Sequence, residues 1–333
     1  MTDSSLTPSD RITLTVEEAR SLAQAALMPL GFDASEAAIV ADHVVDAALC
    51  GYEYSGLPKI LNLAEHDRMH APRRAIRTLH ETPVSARLAG GNTNGMLAMI
   101  RATDLAIGKA RTNGFGVVGI NDIWMSGRSA HYVERVAREG LIGLHTISSR
   151  PQVAPPGAAR AAIGTNPIAF GFPTEGDPLV IDLGTSAFMF TDLLFRERRG
   201  ELLPEGVAID AQGDPTRDPS LARRGAVLSF GGHKGFALGL AMTALGVLAG
   251  SGEDAEGAGY LIMAIRPDLL VPLDDYRREV SAMIERLRST PRQSGVEEIR
   301  IPSERALRER ARRLRDGIDL DRAIYDALRS MAM

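Results

Sequence analysis

The apolar residues of this chain change their spacing twice, and that switch sets its organisation. Up to about residue 75 the spacing is helical. Thr15-Val-Glu-Glu18 is a capping box, whose glutamate reaches back to the cap amide. A second box, Asp33-Ala-Ser-Glu36, opens a run in which Ile39, Val40, Val44, Ala47 and Ala48 share one face before Gly51 ends it. After His70 the runs become short and β-like, at Val84–Leu88, Gly116–Ile120, Ile142–Ile147, Ala161–Phe172 and Leu179–Asp182. Gly, Pro and Asn separate them, and one helical stretch lies around Met96–Asn113. Beyond Gly231 the chain is helical again. Phe236–Ala249 is apolar nearly all round, which predicts burial, and Asp274–Arg288 is amphipathic with a basic end. Ser303 to Met333 reads as a capped, arginine-rich helix followed by a shorter one. The expected division is an N-terminal helical region (1–78), a sheet domain (79–228) and a C-terminal helical region (229–333) packing back on the N-terminal part. Gly250 to Gly259 reads as an exposed loop, too short to separate domains.

Composition narrows the class. With 333 residues, 44% apolar and 24% charged, the chain can bury a sizeable core in two or three layers. Acidic residues outnumber basic ones by 42 to 38, so no cationic footprint marks it for nucleic acid or an anionic membrane. One cysteine, Cys50, rules out an internal disulfide framework and fits a reducing cytoplasm. The N-terminus has no cationic segment followed by an apolar one, and no stretch reaches ~18 apolar residues without charge. A soluble cytoplasmic protein with no membrane or nucleic-acid partner is expected. Lysine is rare: Lys59, Lys109 and Lys234 stand among 38 basic residues.

There is no GxGxxG between a strand and a helix and no GxxxxGK[ST], so any nucleotide would need another cradle. Ser229-Phe-Gly-Gly-His-Lys-Gly235 has the parts for one. Its glycines permit close backbone approach, the following helix start offers unpaired N–H groups, and Lys234 adds charge. The same residues also make a plain strand-to-helix turn with an exposed lysine, and local chemistry leaves the two readings even. Val153-Ala-Pro-Pro-Gly157 and Gly164-Thr-Asn-Pro167 are rigid turns, the second presenting Thr165 and Asn166 at a strand edge. Asp182, ending the run Leu179–Ile181, can meet a ribose hydroxyl or cap the segment that follows, and Asp192 comes ten residues later. His43 sits within a helix and His66 and His70 in a charged stretch, while His80, His131 and His145 have no partner at metal-ligand spacing, so no metal is expected. Met125 and Met189 belong to an apolar pocket or to the core.

GTNPIAF, VIDLGTS, LPEGVAIDAQGDPTRDP and GGHKGFALGL, in this order and spacing, resemble the malate/L-lactate dehydrogenase family of NAD(P)H-dependent oxidoreductases, the type without a Rossmann domain. The likeness runs from the helical start to Ile301-Pro-Ser-Glu304. It implies an α/β fold with a mainly antiparallel nucleotide sheet, flanked by helical regions from both chain ends. It also implies a homodimer, NADPH or NADH as cofactor, and reduction of a C=O or C=N next to a carboxylate. By position, Trp124, Met125, Ser126, Gly127 and Arg128 fall on a cofactor segment, Asp182, Leu183, Gly184 and Thr185 on a second, and His233, Lys234 and Gly235 on the glycine-rich turn. Thr165 falls on a substrate-contacting threonine, and Glu304 on a late segment that approaches the cofactor.

Departures from the family pattern are equally specific. Where members show Ser-His-Gly and then arginine, with histidine as proton donor and arginine on the substrate carboxylate, this chain has Tyr54-Ser55-Gly56 and Lys59. Lysine pairs with a carboxylate but lacks the planar fork, and neither serine nor tyrosine titrates near neutrality unaided. Read from the residues alone, Tyr54 and Ser55 form a helix-end turn with a half-buried aromatic. Trp124 likewise replaces a histidine. Asp192 matches the branch resembling Δ1-piperideine-2-carboxylate/Δ1-pyrroline-2-carboxylate reductases, where an aspartate works in a proton relay. An imine nitrogen is more basic than a ketone oxygen, so a protonated iminium tolerates the loss of a strong acid. The expected activity is hydride transfer to a cyclic imine acid held by Lys59 and Thr165, with Tyr54 or Ser55 relaying the proton beside Asp192. A lactate- or malate-like 2-hydroxy acid dehydrogenase and a non-catalytic nucleotide-binding homologue stand as alternatives.

Overall fold

The computed structural model describes residues 10–252 and 257–333, so part of the loop expected at Gly250–Gly259 lies outside the described residues. In chain order the first elements are β1 (Arg11–Leu14), α1 (Val16–Leu27), α2 (Ala34–Leu49), α3 (Lys59–Ala64), β2 (Arg77–Glu81), β3 (Ser85–Asn94), α4 (Gly95–Asn113) and β4 (Phe115–Trp124). Then come α5 (Ser129–Arg138), β5 (Ile142–Ser148), β6 (Val153–Ala154), β7 (Ile168–Phe172), β8 (Leu179–Leu183), α6 (Phe190–Arg199), β9 (Ala208–Ile209), α7 (Pro219–Arg224) and β10 (Ala226–Leu228). The last are α8 (His233–Gly246), β11 (Gly259–Ile265), α9 (Leu273–Arg288), α10 (Glu304–Asp316), β12 (Ile318–Asp321) and α11 (Arg322–Met331). The chain forms two compact units, one joining the segment up to Ala71 with Glu304–Met333, the other spanning Pro72–Ser303.

In the first unit both capping boxes form as the sequence predicts. The Glu18 amide donates to Thr15 Oγ1 (3.2 Å) and the Thr15 amide to Glu18 Oε2 (2.8 Å), while the Glu36 amide donates to Asp33 Oδ1 (2.9 Å). Val40, Val44, Ala47 and Ala48 are buried on α2, and Ile39 falls off that face and is exposed. The chain ends meet in an antiparallel ladder, Arg11 opposite Asp321 through Leu14 opposite Ile318. Next to it α10 lies on α2, with Arg310 bound to Asp46 (2.7 Å) and Arg313 Nη1 donating to the Ala48 carbonyl (2.8 Å).

The second unit is built on a seven-stranded sheet of order β2-β3-β4-β11-β5-β7-β8. Only β3 and β4, joined through α4, run parallel; the other neighbours are antiparallel. The predicted α/β fold with a mainly antiparallel sheet and helices from both chain ends is thus observed. α4 approaches so closely that a Cβ on Gly116 of β4 would stand 2.1 Å from the Ala106 carbonyl oxygen, which only glycine permits.

Three elements differ from the sequence reading. Gly259–Ile265 is a strand at the centre of the sheet, paired along its length with β4 and β5, and residues 229–303 share the sheet's unit rather than the C-terminal helices' unit. A strand covered on both faces is an unbroken apolar run without alternation, here Tyr-Leu-Ile-Met-Ala-Ile, so period alone does not distinguish it from a buried helix. Each large side chain buried there stabilises by about 1.5–3 kcal/mol. The helix expected to be buried all round is not. α8 turns Gly235, Gly239, Met242 and Gly246 inward, while Leu238, Leu240, Val247 and Leu248 at its outer side and end are exposed. Small residues on the inner face let α8 lie tight on the sheet, which leaves its large side chains outside. The predicted run Ala161–Phe172 is a strand only from Ile168, its first half being the Gly164–Pro167 turn.

Candidate functional site

Three of the sequence motifs, far apart in the chain, are laced together in the second unit. The Thr165 carbonyl accepts from the Thr185 amide (3.2 Å) and from Thr185 Oγ1 (3.0 Å). The Thr185 carbonyl accepts from the Phe230 amide (3.0 Å), and the Phe230 carbonyl from the Gly235 amide (2.8 Å). A Cβ on Gly235 would stand 2.1 Å from the Phe230 oxygen and 2.7 Å from the Thr185 oxygen, so this crossing requires glycine. Beneath it β10 pairs in parallel with β6, the start of the Val153–Gly157 motif, and antiparallel with β9. In the LPEGVAIDAQGDPTRDP stretch, Asp210 Oδ1 accepts from the Gln212 and Asp214 amides and Asp218 caps α7, so that motif shapes the support of the turn.

The turn itself has the geometry of an anion site. Gly231 (φ 55°) and Gly232 (φ 61°) are left-handed, open space surrounds both, and His233 and Lys234 are exposed. No side chain caps α8, whose N-cap is Gly232. Although the Lys234 and Gly235 amides already donate to the Gly231 and Phe230 carbonyls, the positive end of a 14-residue helix without a side-chain cap, an open glycine cradle and a lysine fit the phosphates of a nicotinamide dinucleotide.

Asn166, which the sequence places at a strand edge, is instead fully buried, 0% exposed. Its Oδ1 accepts from the Ser149 amide (3.0 Å), and its Nδ2 donates to the Gly239 carbonyl (2.9 Å) and to Thr243 Oγ1 (2.8 Å). One side chain therefore ties β5, the Thr165 turn and α8 together. The signal was its place in Gly-Thr-Asn-Pro: its φ of 34° is a conformation that asparagine tolerates better than most residues. Thr165 Oγ1 makes no hydrogen bond among the described residues.

Of the two readings of Asp182, the structure shows a cap, though of another segment: Oδ2 accepts from the Ala130 amide (2.8 Å) at the start of α5, and Oδ1 makes no hydrogen bond among the described residues. Leu183 and Gly184 continue that strand end, Leu183 exposed. The first α5 amides follow the Trp124–Arg128 segment, where Met125 (φ 54°) and Gly127 (φ 74°) are left-handed. Trp124 is buried and its Nε1 donates to the Asn92 carbonyl (3.1 Å), while the Ser126 carbonyl accepts from the Tyr132 hydroxyl. Asp192 lies in the first turn of α6, 3.6 Å from Arg196 Nε. Partial burial raises its carboxyl above the usual range, against the pull of Arg196.

The remaining predicted residues belong to the first unit. Glu53–Ser55 is a 3-10 turn after α2, with the Ser55 amide bonded to the Tyr52 carbonyl (3.0 Å) and the Gly56 amide to the Glu53 carbonyl (2.9 Å). Ser55 is buried, and Tyr54 is half-buried with its ring edge-on to Tyr52. Lys59 opens α3 and is 4% exposed, with no hydrogen bond or ion pair among the described residues. Burial pushes its ammonium down to about 8. Glu304 is the first residue of α10 and is half-buried. No helix among the described residues is long and apolar enough to cross a membrane.

Comparison with known proteins identifies the family. The sequence profile of the malate/L-lactate dehydrogenase family matches residues 14–329. The malate/(S)-sulfolactate dehydrogenase of Methanothermus fervidus is 32% identical over 95% of this chain and 96% of its own length. The Δ1-pyrroline-2-carboxylate/Δ1-piperideine-2-carboxylate reductase of Pseudomonas aeruginosa is also 32% identical, over 95% and 98%. The crystal structure of a dehydrogenase from Sinorhizobium meliloti superimposes with a TM-score of 0.89 at 28% identity, covering 98% of this chain and 100% of that one. The chain belongs to the malate/L-lactate dehydrogenase family and is an oxidoreductase that works with a nicotinamide cofactor.

Proposed function

We propose that this enzyme reduces the C=N bond of a cyclic imine acid, such as Δ1-piperideine-2-carboxylate or Δ1-pyrroline-2-carboxylate, with NADPH or NADH. The observation that carries the reading is Lys59: a buried lysine with no hydrogen bond or ion pair among the described residues calls for an anionic ligand, and the substrate carboxylate is one. Thr165 Oγ1, also without a hydrogen bond among the described residues, orients that carboxylate. The Gly231–Gly235 turn with Lys234 binds the cofactor phosphates, Asp182 Oδ1 takes a ribose hydroxyl, and Trp124–Arg128, Leu183–Thr185, His233 and Glu304 complete the cofactor contacts. When bound, the cofactor supplies hydride. Tyr54, Ser55 and Asp192 form the proton relay. Serine in place of a titrating acid favours C=N over C=O, because the imine nitrogen is the more basic acceptor. The likeness to a malate/(S)-sulfolactate dehydrogenase supports a second reading, reduction of a 2-oxo acid.

The exposed Leu238, Leu240, Val247 and Leu248 support a homodimer, and the composition supports a cytoplasmic location. Oxidation of NADPH and NADH with the two imines, pyruvate and oxaloacetate side by side tests the function. Faster turnover of the imines is expected. Preference for pyruvate or oxaloacetate selects the second reading, and cofactor binding without turnover of any compound selects a non-catalytic homologue.

A further inference from the structure

We infer that the Asn94 carboxamide, at the mouth of α4, is a further cofactor-binding group: its Nδ2 donates to the carbonyl oxygen of the nicotinamide carboxamide and so sets the rotation of the nicotinamide ring. The inference rests on the reading that lays the cofactor along Trp124–Arg128 and adds a group to it from a different element.

β3 and β4 are the parallel pair of the seven-stranded sheet, and α4 joins them. Ligands of α/β sheets lie beyond the carboxyl ends of parallel strands, where a crossover helix begins. Here those ends are Asn94 and Trp124, which face each other in the ladder. Gly95 opens α4 hard against the residues that follow β4. A Cβ on it would stand 2.7 Å from the nitrogen and Cα of Ser126 and 2.9 Å from the Trp124 oxygen, so only glycine fits. From the other side Trp124 Nε1 donates to the Asn92 carbonyl (3.1 Å). The mouth of α4 is therefore built onto the cofactor segment within one unit, and the residues on either side of Ser126, Met125 and Gly127, are only half-buried.

Asn94 is the N-cap of this 19-residue helix, and its Oδ1 accepts from the Met96 amide (3.0 Å). That bond fixes the carboxamide across the helix mouth. The Nδ2 in the same plane is left without a hydrogen bond among the described residues, although Asn94 is only 2% exposed. An enclosed amide nitrogen costs stability until an acceptor meets it. Capping alone does not account for it, because serine or aspartate caps a helix equally well and brings no surplus donor. The acceptor it calls for is neutral. Gly90–Ile100 and Ile123–Gly127, the segments that meet there, carry no charged side chain, so a carboxylate or phosphate would be buried with no counter-charge from them. A carbonyl oxygen suits the place, and the nicotinamide ring carries one on its carboxamide. The positive end of α4 adds to the pull on that oxygen.

The test measures dissociation constants on the full chain through the fluorescence of Trp124, its single tryptophan. The probes are NAD, its thionicotinamide analogue, in which sulfur replaces the carboxamide oxygen, and ADP-ribose, which keeps both phosphates and both riboses and lacks the nicotinamide. The 2′-phosphorylated series replaces them if the enzyme takes NADPH. Asn94→Ser keeps a capping oxygen and removes the donor, and Asn94→Asp keeps the cap and turns the donor into an acceptor. Wild type should bind NAD about three- to tenfold more tightly than the thio analogue, and Asn94→Ser should lose that preference together with about the same factor in NAD affinity. Asn94→Asp should lose at least as much. ADP-ribose should bind all three proteins within about twofold, and their denaturation midpoints should agree, since the cap is kept. Three results overturn the inference: NAD bound by both variants as tightly as by wild type, NAD and ADP-ribose weakened alike, or a preference for NAD over the thio analogue that survives in Asn94→Ser. Turnover is not part of the readout. Imines left unreduced would overturn the proposed function, and these constants would still decide the part played by Asn94.

Discussion

Asn166 and Lys59 are both buried polar side chains, on opposite terms. Every hydrogen-bonding group of the Asn166 amide has a partner, whereas Lys59 carries a charge into the interior with none among the described residues. A fully satisfied buried amide adds stability and uniqueness of packing. A buried charge without a partner subtracts stability, and a site that retains one is set up for a ligand or a proton transfer. The second unit thus uses buried polarity to hold the Thr165 turn and α8 together, whereas the first retains a buried lysine whose role the proposed function assigns to the substrate carboxylate.

Substitutions can break this contrast. Asn166→Ala should be the most damaging to the fold. It leaves the Ser149 amide, the Gly239 carbonyl and Thr243 without this partner, a loss of about 4 kcal/mol by the usual cost of unsatisfied buried groups, read by chemical denaturation. Cofactor affinity should fall with it, because α8 is released at Gly239. A stability unchanged within about 0.5 kcal/mol would mean that Asn166 is not the tie it looks to be.

Lys59→Met should move stability the other way. The ammonium titrates at about 8 in the fold against 10.5 in the unfolded chain, so at pH 7 the folded state bears a penalty of about 3 kcal/mol, which methionine removes. The penalty is fully present below pH 8. Between 8 and 10.5 the unfolded chain binds the extra proton, so wild-type stability rises with pH and the gap to Lys59→Met closes. Unfolding curves from pH 7 to 10.5 for both proteins check the sign, and a gap independent of pH would show that the charge is not the cause.

Lys109→Met sharpens the comparison, because Lys109 is also nearly buried but has partners. Loss of its bonds to Glu81 and Thr82 should destabilise by about 2 kcal/mol, opposite in sign to Lys59→Met. Lys234→Met, at an exposed lysine, should leave stability within about 0.5 kcal/mol. Its effect should be on the cofactor: roughly tenfold weaker binding, by loss of one charged contact to phosphate, measured by calorimetric titration. If Lys234→Met bound the cofactor as tightly as wild type, the turn at Gly231–Gly235 would not be the phosphate cradle.

The parts of the candidate site were legible as motifs because each is local. The glycine-rich turn, the Asp182 strand end and the Thr165 turn each announce themselves within five to seven residues, and their order carries the family resemblance. Their union was not legible. The Thr165–Thr185–Phe230–Gly235 series of hydrogen bonds crosses some 70 residues of chain, and Asp182 caps a helix that begins 53 residues before it. The cap could be foreseen as a capability of an aspartate, but not the helix that receives it.

The sequence by itself determined the elements whose causes lie within a turn or two of chain: the capping boxes at Thr15 and Asp33, the helix from Gly95 to Asn113, and the strands at β3, β4, β5 and β8. Backbone capping and side-chain period act over three to five residues, so they are written in order along the chain. Tertiary structure alone decided that Gly259–Ile265 is the central strand, that α8 turns its small residues inward, and that Lys59 is buried without an ion pair among the described residues. Burial is set by what packs against a segment, and those neighbours come from distant parts of the chain, so an apolar run or a lysine does not carry its own environment.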